Sequence, residues 1–165
     1  MKQEKICLSL KFKTNLLITP AFGDSSLVEA VEDLLQSIKE SSAIHVHYTP
    51  TSIKHEPDID LKLAIYRILQ EHINNILKHS AATDVIVSIS NEEDKLMLVI
   101  TDNGKGFDKL VSRKGIGLNN MDSRAKAFGG TVTIQSSPGH GCTLQAIFPV
   151  DVTDNNIVNP VQFIS

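Results

Sequence analysis

The sequence predicts an α/β domain, and three observations carry that expectation. Two pairs of alternating runs, Ala82–Ser90 with Lys95–Asp102 and Thr131–Ser137 with Cys142–Val150, have the two-residue period of strands, with polar turns between them. Ser26–Glu40 and Asp58–His79 place apolar residues at helical spacing instead. Between the hairpins lies Thr101–Asn120, TDNGKGFDKLVSRKGIGLNN, around which the rest of the chain is organised.

The elements follow in order. Residues 1–24 hold a loosely alternating ICLSLKFK and a connector with Pro20 and Gly23, so residues 1–25 read as a linker or the remnant of an upstream region. Ser26 and Glu29 form an S-x-x-E capping box, in which hydroxyl and carboxylate satisfy the first helical N–H groups reciprocally. Leu27, Val31, Leu34, Leu35 and Ile38 follow as the helix's apolar stripe. Ala43–Tyr48 alternates as a strand before Thr49-Pro50, with His45 and His47 as a solvent-facing pair on an edge. In the long second helix Ile65, Ile68, Leu69, Ile73, Ile76 and Leu77 form the apolar face. At 100° per residue Glu71, Asn75 and Lys78 share a narrow polar band. Leu118–Phe128 reads as a third helix, stopped by Gly129-Gly130. The domain is expected over residues 26–150, with a polar tail from 151 to 165.

Composition excludes several classes. A chain of 165 residues, 41% hydrophobic and 21% charged, suits one globular domain with a sizeable core. A net charge of -3 gives no reason to expect nucleic acid or an anionic membrane as partner. Cys7 and Cys142 form no metal spacing, which points to a reducing compartment rather than a disulfide framework. No signal peptide or spanning run is present, so the expectation is a cytoplasmic domain.

The chemistry concentrates in the glycine-rich stretch. Asp102 ends a strand and is followed by Gly104 and Gly106, then Arg113 and Lys114, then Gly115 and Gly117 at the start of a helix. Glycine lets backbone approach a ligand closely, and successive N–H groups at such turns and helix starts favour phosphate. Asn103-Gly104 is equally a hairpin signal, so DNGKG alone could simply reverse the chain. The known phosphate-loop and dinucleotide templates are absent. Upstream, tandem Asn74-Asn75 in mid-helix is costly for helix formation. Glu71, Asn75 and Lys78 together would make a face for Mg2+ and phosphate, since Mg2+ takes a few hard oxygen ligands.

YRILQEHINNILKHSAATDV, DNGKGFD and KGIGLNNMDSRAKAFGG…SSPGHGCTLQAIFP stand in the order and spacing of the N, G1 and G2 boxes of GHKL ATPases. Over roughly Leu27–Val150 the chain resembles the ATP-binding catalytic domain of bacterial two-component sensor histidine kinases. The resemblance implies a Bergerat-type fold: a two-layer α/β (α+β) sandwich, its sheet mixed but mostly antiparallel, with helices on one face. It implies ATP and Mg2+ as cofactors, with Asn75 on the metal, Glu71 polarising the attacking group and Lys78 meeting the phosphates. Asp102 would accept from the adenine amine within the Gly104–Gly106 box, with Gly106 flanking the base. Gly115, Gly117 and Leu118 would lie at the triphosphate, and the segment between Gly106 and Gly115 would be a lid, mobile without nucleotide. Thr143 resembles a threonine sharing a water with the adenine-binding acid, and Lys114 is a candidate phosphate contact.

The implied partners are a dimerisation domain bearing the phosphoacceptor His and a downstream response regulator. Residues 1–25 cannot make that helical hairpin, so the expectation is one excised domain of a longer protein, or a truncated relative, that binds ATP but lacks its own acceptor. His72 replaces the neutral residue more usual after the N-box acid and could crowd the site. A stand-alone GHKL serine kinase of anti-sigma type and a non-catalytic ATP-binding module are the alternatives.

Overall fold

The computed structural model describes residues 22, 25–50, 53, 54, 56–108 and 116–150. Helix α1 (Leu27–Ser41) starts at the expected capping box: Glu29 N donates to Ser26 Oγ at 3.2 Å and Ser26 N to Glu29 Oε2 at 2.9 Å. These bonds, the Ser26 N–H foremost, hold the Glu29 carboxyl below its usual range. Strand β1 is His45–Pro50. Helix α2 (Ile59–Asn75) is capped by Asp58, whose carboxylate accepts from Leu61 N at 2.8 Å. Its last turn widens into a π-helical segment, Ile76–Ser80, that ends with Ala81 in the left-handed region. Then come β2 (Asp84–Glu92), β3 (Lys95–Asp102), α3 (Ile116–Lys126), β4 (Thr131–Ser136) and β5 (Cys142–Pro149).

The strands form one sheet in the order β1-β2-β3-β5-β4. Only β1 and β2 are parallel; the other neighbours are antiparallel. The parallel pair follows from chain order, because a crossover through a helix returns the chain in its original direction. β2 and β3 pair down to Glu92 and Lys95, so their turn is tighter than the polar run Asn91–Asp94 suggests. The implied mixed, mostly antiparallel sheet is the one observed.

Strand alternation divides the sheet into two faces. Val85, Val87, Ile89, Leu96, Leu98, Ile100, Leu144, Ala146 and Phe148 are buried on one face. That face meets the apolar stripes of α1 and α2 and, from α3, Met121 and Ala125 in one core. On the opposite face Ile86 is 53% exposed, and His45 and His47 are exposed on the edge strand as expected. His47 Nε2 lies 3.7 Å from Asp84 Oδ1. The starts of the two long helices are tied by Lys62, whose ammonium is 3.0 Å from Glu56 Oε1 and donates to Ser25 O, while Glu56 also accepts from Leu27 N.

Candidate functional site

On β3 the buried positions run Leu96, Leu98, Ile100 and then Asp102. The stripe that supplies the core therefore ends in a carboxylate, 3% exposed, beneath the C-terminal part of α2. Asp102 Oδ1 accepts from Gly104 N at 2.8 Å, while Oδ2 is buried with no protein partner. Burial pushes the carboxyl above its ordinary range, partly opposed by the Gly104 N–H. Above it opens a cavity of about 400 Å³, within the size range of small-molecule sites. Asp102 and Cys142 lie at one part of its lining, with His72, Asn75 and His79 from α2 and its π segment, and Gly117 and Leu118 from α3.

Asn103 does not close a hairpin. Its amide oxygen accepts from Thr83 N and Asp84 N, and its Nδ2 donates to Thr83 Oγ1 and Asp84 Oδ2. The side chain thus pins the start of β2 to the end of β3, and the chain beyond Gly104 runs against the end of β4, where Phe107 N donates to Ser136 Oγ at 3.0 Å. Lys105 N donates to Ser80 O at 2.8 Å and Lys105 O accepts from Gly139 N at 2.7 Å, fastening the glycine segment to the π turn and the β4–β5 turn. Gly106 is required here: its φ is +59°, and a Cβ would run into the Ser137 carbonyl oxygen.

Gly117 serves a different purpose. A Cβ there would collide with Glu71 Oε1 and come within 3.5 Å of Asn75 Nδ2. The absent side chain lets the first turn of α3 approach Glu71 and Asn75 on α2. Five predicted residues, Asn75, Asp102, Gly106, Gly117 and Leu118, line the cavity, while Gly104 and Glu71 adjoin it. Lys114 and Gly115, with the rest of the lid from 109 to 115, lie outside the described residues.

Two predicted positions fall elsewhere. Thr143 pairs with Thr101 in register, their hydroxyls 3.1 Å apart, on the face away from the cavity. The two-residue period of β5 turns its neighbour Cys142 toward Asp102 instead, so the thiol occupies the place expected for Thr143. Lys78 is exposed and outside the cavity lining. The π segment is the reason: its wider turn advances each residue by less than 100°, rotating positions after Asn75 out of the band shared with Glu71.

The same segment brings His79 and Ser80 to the cavity. Lys105 also lines it, a cation that the spacing around Gly104 and Gly106 could have revealed. His72 is 4% exposed, with neither ring nitrogen partnered, and burial holds it neutral by pulling its pKa down to about 4.

A parallel edge, a four-strand antiparallel body and an acid-and-glycine cavity under one helical layer define the class of the domain. The family profile of the histidine kinase-, DNA gyrase B-, and HSP90-like ATPases matches residues 60–152, and the chain belongs to that family. Within it, the sequence is that of an ATP-binding domain of the sensor histidine kinase kind. It is 37% identical over 136 residues to the sensor protein VraS of Staphylococcus haemolyticus, covering 81% of this chain and 38% of that protein. It is 32% identical over 121 residues to the sensor histidine kinase ComP of Bacillus subtilis, covering 72% and 16% respectively. The chain thus spans well under half the length of these relatives. The histidine kinase domain of a blue-light activated histidine kinase from Erythrobacter litoralis shares the fold, with a TM-score of 0.67 at 15% identity over 89% of this chain and 72% of that one. No helix among the described residues is long and apolar enough to cross a membrane.

Proposed function

We propose that the cavity binds Mg2+·ATP and that the domain transfers the γ-phosphate to a His on a separate dimerisation domain. The observation that carries this reading is Asp102 Oδ2, a buried acceptor with no protein partner at the cavity wall. An exocyclic base amine supplies the missing donor, and Oδ1 is already held by Gly104 N–H so that the carboxylate cannot turn away. Gly106 flanks the base. The phosphates extend toward the start of α3, where Gly117, Leu118 and the N–H groups of the first helical turn meet them. Lys105 and His79 also line the cavity, with Lys114 and Gly115 assigned to the phosphate end from sequence.

The donor set fits Mg2+. Asn75 offers one hard amide oxygen on the half-buried side of α2, and Mg2+ needs only one or two protein oxygens beside phosphates and water. When bound, the ion neutralises charge developing on the transferred phosphoryl group. Glu71, next to Asn75 across Gly117, polarises or orients the attacking group. Phosphoryl transfer asks a protein mainly for positioning and charge neutralisation, which these residues supply. The parent protein's phosphate passes on to a response regulator, in the cytoplasm.

The test is radiolabelled γ-phosphate incorporation with Mg2+ and a supplied dimerisation domain that carries a phosphoacceptor His. Acid-labile label on that domain is expected, abolished by Asn75→Asp, and none on this chain alone. Acid-labile label mapped to a histidine of this chain overturns the separate-acceptor reading.

A further inference from the structure

We propose that the wall of this cavity is also a metal site, where a thiophilic divalent cation such as Zn2+ binds between His72, Asp102 and Cys142 and excludes the nucleotide base. The exclusion rests on the nucleotide reading above; the metal site does not.

Each of the three residues offers one ligand atom, a ring nitrogen, a carboxylate oxygen and a sulfur, and these atoms all lie within 4.8 Å of one another. No other such group occurs among the described residues. They come from three elements that the fold holds together: His72 from α2, and Asp102 and Cys142 from directly paired positions of β3 and β5. All three are buried. Both ring nitrogens of His72 and Oδ2 of Asp102 lack partners, an arrangement that is costly for buried polar groups when nothing fills it. One cation meets a His72 nitrogen and Asp102 Oδ2 together.

The donor set selects the ion. Nitrogen, oxygen and sulfur together suit Zn2+ and its neighbours, whereas Mg2+ and Ca2+ prefer oxygen throughout. With bonds of about 2.0–2.3 Å, tetrahedral ligands sit roughly 3.5 Å apart, so closure needs only side-chain rotation from the observed spacing. Three protein ligands leave the fourth position to water on the cavity side. Binding moves the Cys142 thiol proton to solvent, and the thiolate and the Asp102 carboxylate then balance the dication. That neutrality suits a buried site, and the proton release makes affinity rise with pH. The ion occupies Oδ2, the oxygen offered to the base, so metal and base cannot be bound together. Apparent nucleotide affinity falls about tenfold when free metal stands near ten times its Kd.

The test titrates the reduced, chelator-treated chain with Co2+, whose thiolate charge-transfer absorption reports sulfur ligation. A band saturating at one ion per chain is expected, displaced by Zn2+ and lost in both Cys142→Ser and His72→Ala, each checked for folding by circular dichroism. X-ray absorption of the Zn2+-loaded unmodified chain, expected to show one sulfur with nitrogen and oxygen ligands, decides the matter if a variant unfolds. Adenosine, which has no phosphates to chelate metal, is expected to suppress the band. No band, a band that survives in either folded variant, or an all-nitrogen-and-oxygen shell overturns the metal site. A band untouched by adenosine that binds the metal-free chain overturns the exclusion. If the metal-free chain binds neither adenosine nor Mg2+·ATP while the band forms, the nucleotide reading fails and the metal site stands.

Discussion

Asp102→Asn separates affinity from stability in this fold. The carboxylate is held by one hydrogen bond, from Gly104 N to Oδ1, and Oδ2 is buried without a protein partner. An asparagine must keep its amide oxygen toward Gly104 N–H, because turning it would set donor against donor. Its NH2 group then takes the place of Oδ2 and faces the base amine, again donor against donor. The lost charge-assisted bond is worth ~1.5–3 kcal/mol, which is roughly ten- to a hundredfold in affinity for Mg2+·ATP. Stability is expected to hold or rise, since the variant removes a charge whose burial already raises the Asp102 pKa. Calorimetry with Mg2+·ATP measures the first effect and urea unfolding without nucleotide the second. Affinity within twofold of the unmodified chain, in a variant that is folded, would refute the assignment of Oδ2 to the base.

Two further outcomes follow from the same neighbourhood. Because His72 is neutral in the fold down to about pH 4, the unfolded chain binds more protons between that pH and its ordinary 6.5, so stability falls as pH falls through this window. The loss from this ring is roughly 3 kcal/mol and ends below about pH 4, where the folded ring also protonates. Urea unfolding from pH 7 to 4 with chelator present checks it, and His72→Leu should flatten that part of the profile. Gly117→Ala puts a methyl group against Glu71 Oε1 and near Asn75. It should leave the fold intact while weakening Mg2+·ATP by up to roughly tenfold on calorimetry, about 1.4 kcal/mol, since the Glu71 carboxylate must swing aside or α3 must shift; an unchanged affinity would show that α2 and α3 need not approach this closely.

What the sequence determined by itself was whatever depends on period and local backbone chemistry. Alternation marked both hairpins and delivered Asp102 to a strand end, the S-x-x-E pattern set the start of α1, and glycine spacing located the turn beside the acid. Box order then implied the sheet and its one helical layer. Tertiary structure decided what depends on register and on helix geometry. Alternation says that Cys142 and Thr143 point to opposite faces, but only pairing with β3 sets Cys142 beside Asp102 and Thr143 beside Thr101. The helical wheel groups Lys78 with Glu71 and Asn75, yet a π segment anchored through Ser80 to Lys105 N rotates the end of α2 and presents His79 instead. No local rule foresees that widening, because it is stabilised by partners distant in the chain. Likewise His72 reads from sequence as an unusual helix residue. It becomes a buried ring with two unmet nitrogens only because α2 packs across β3 and β5, above a carboxylate and a thiol.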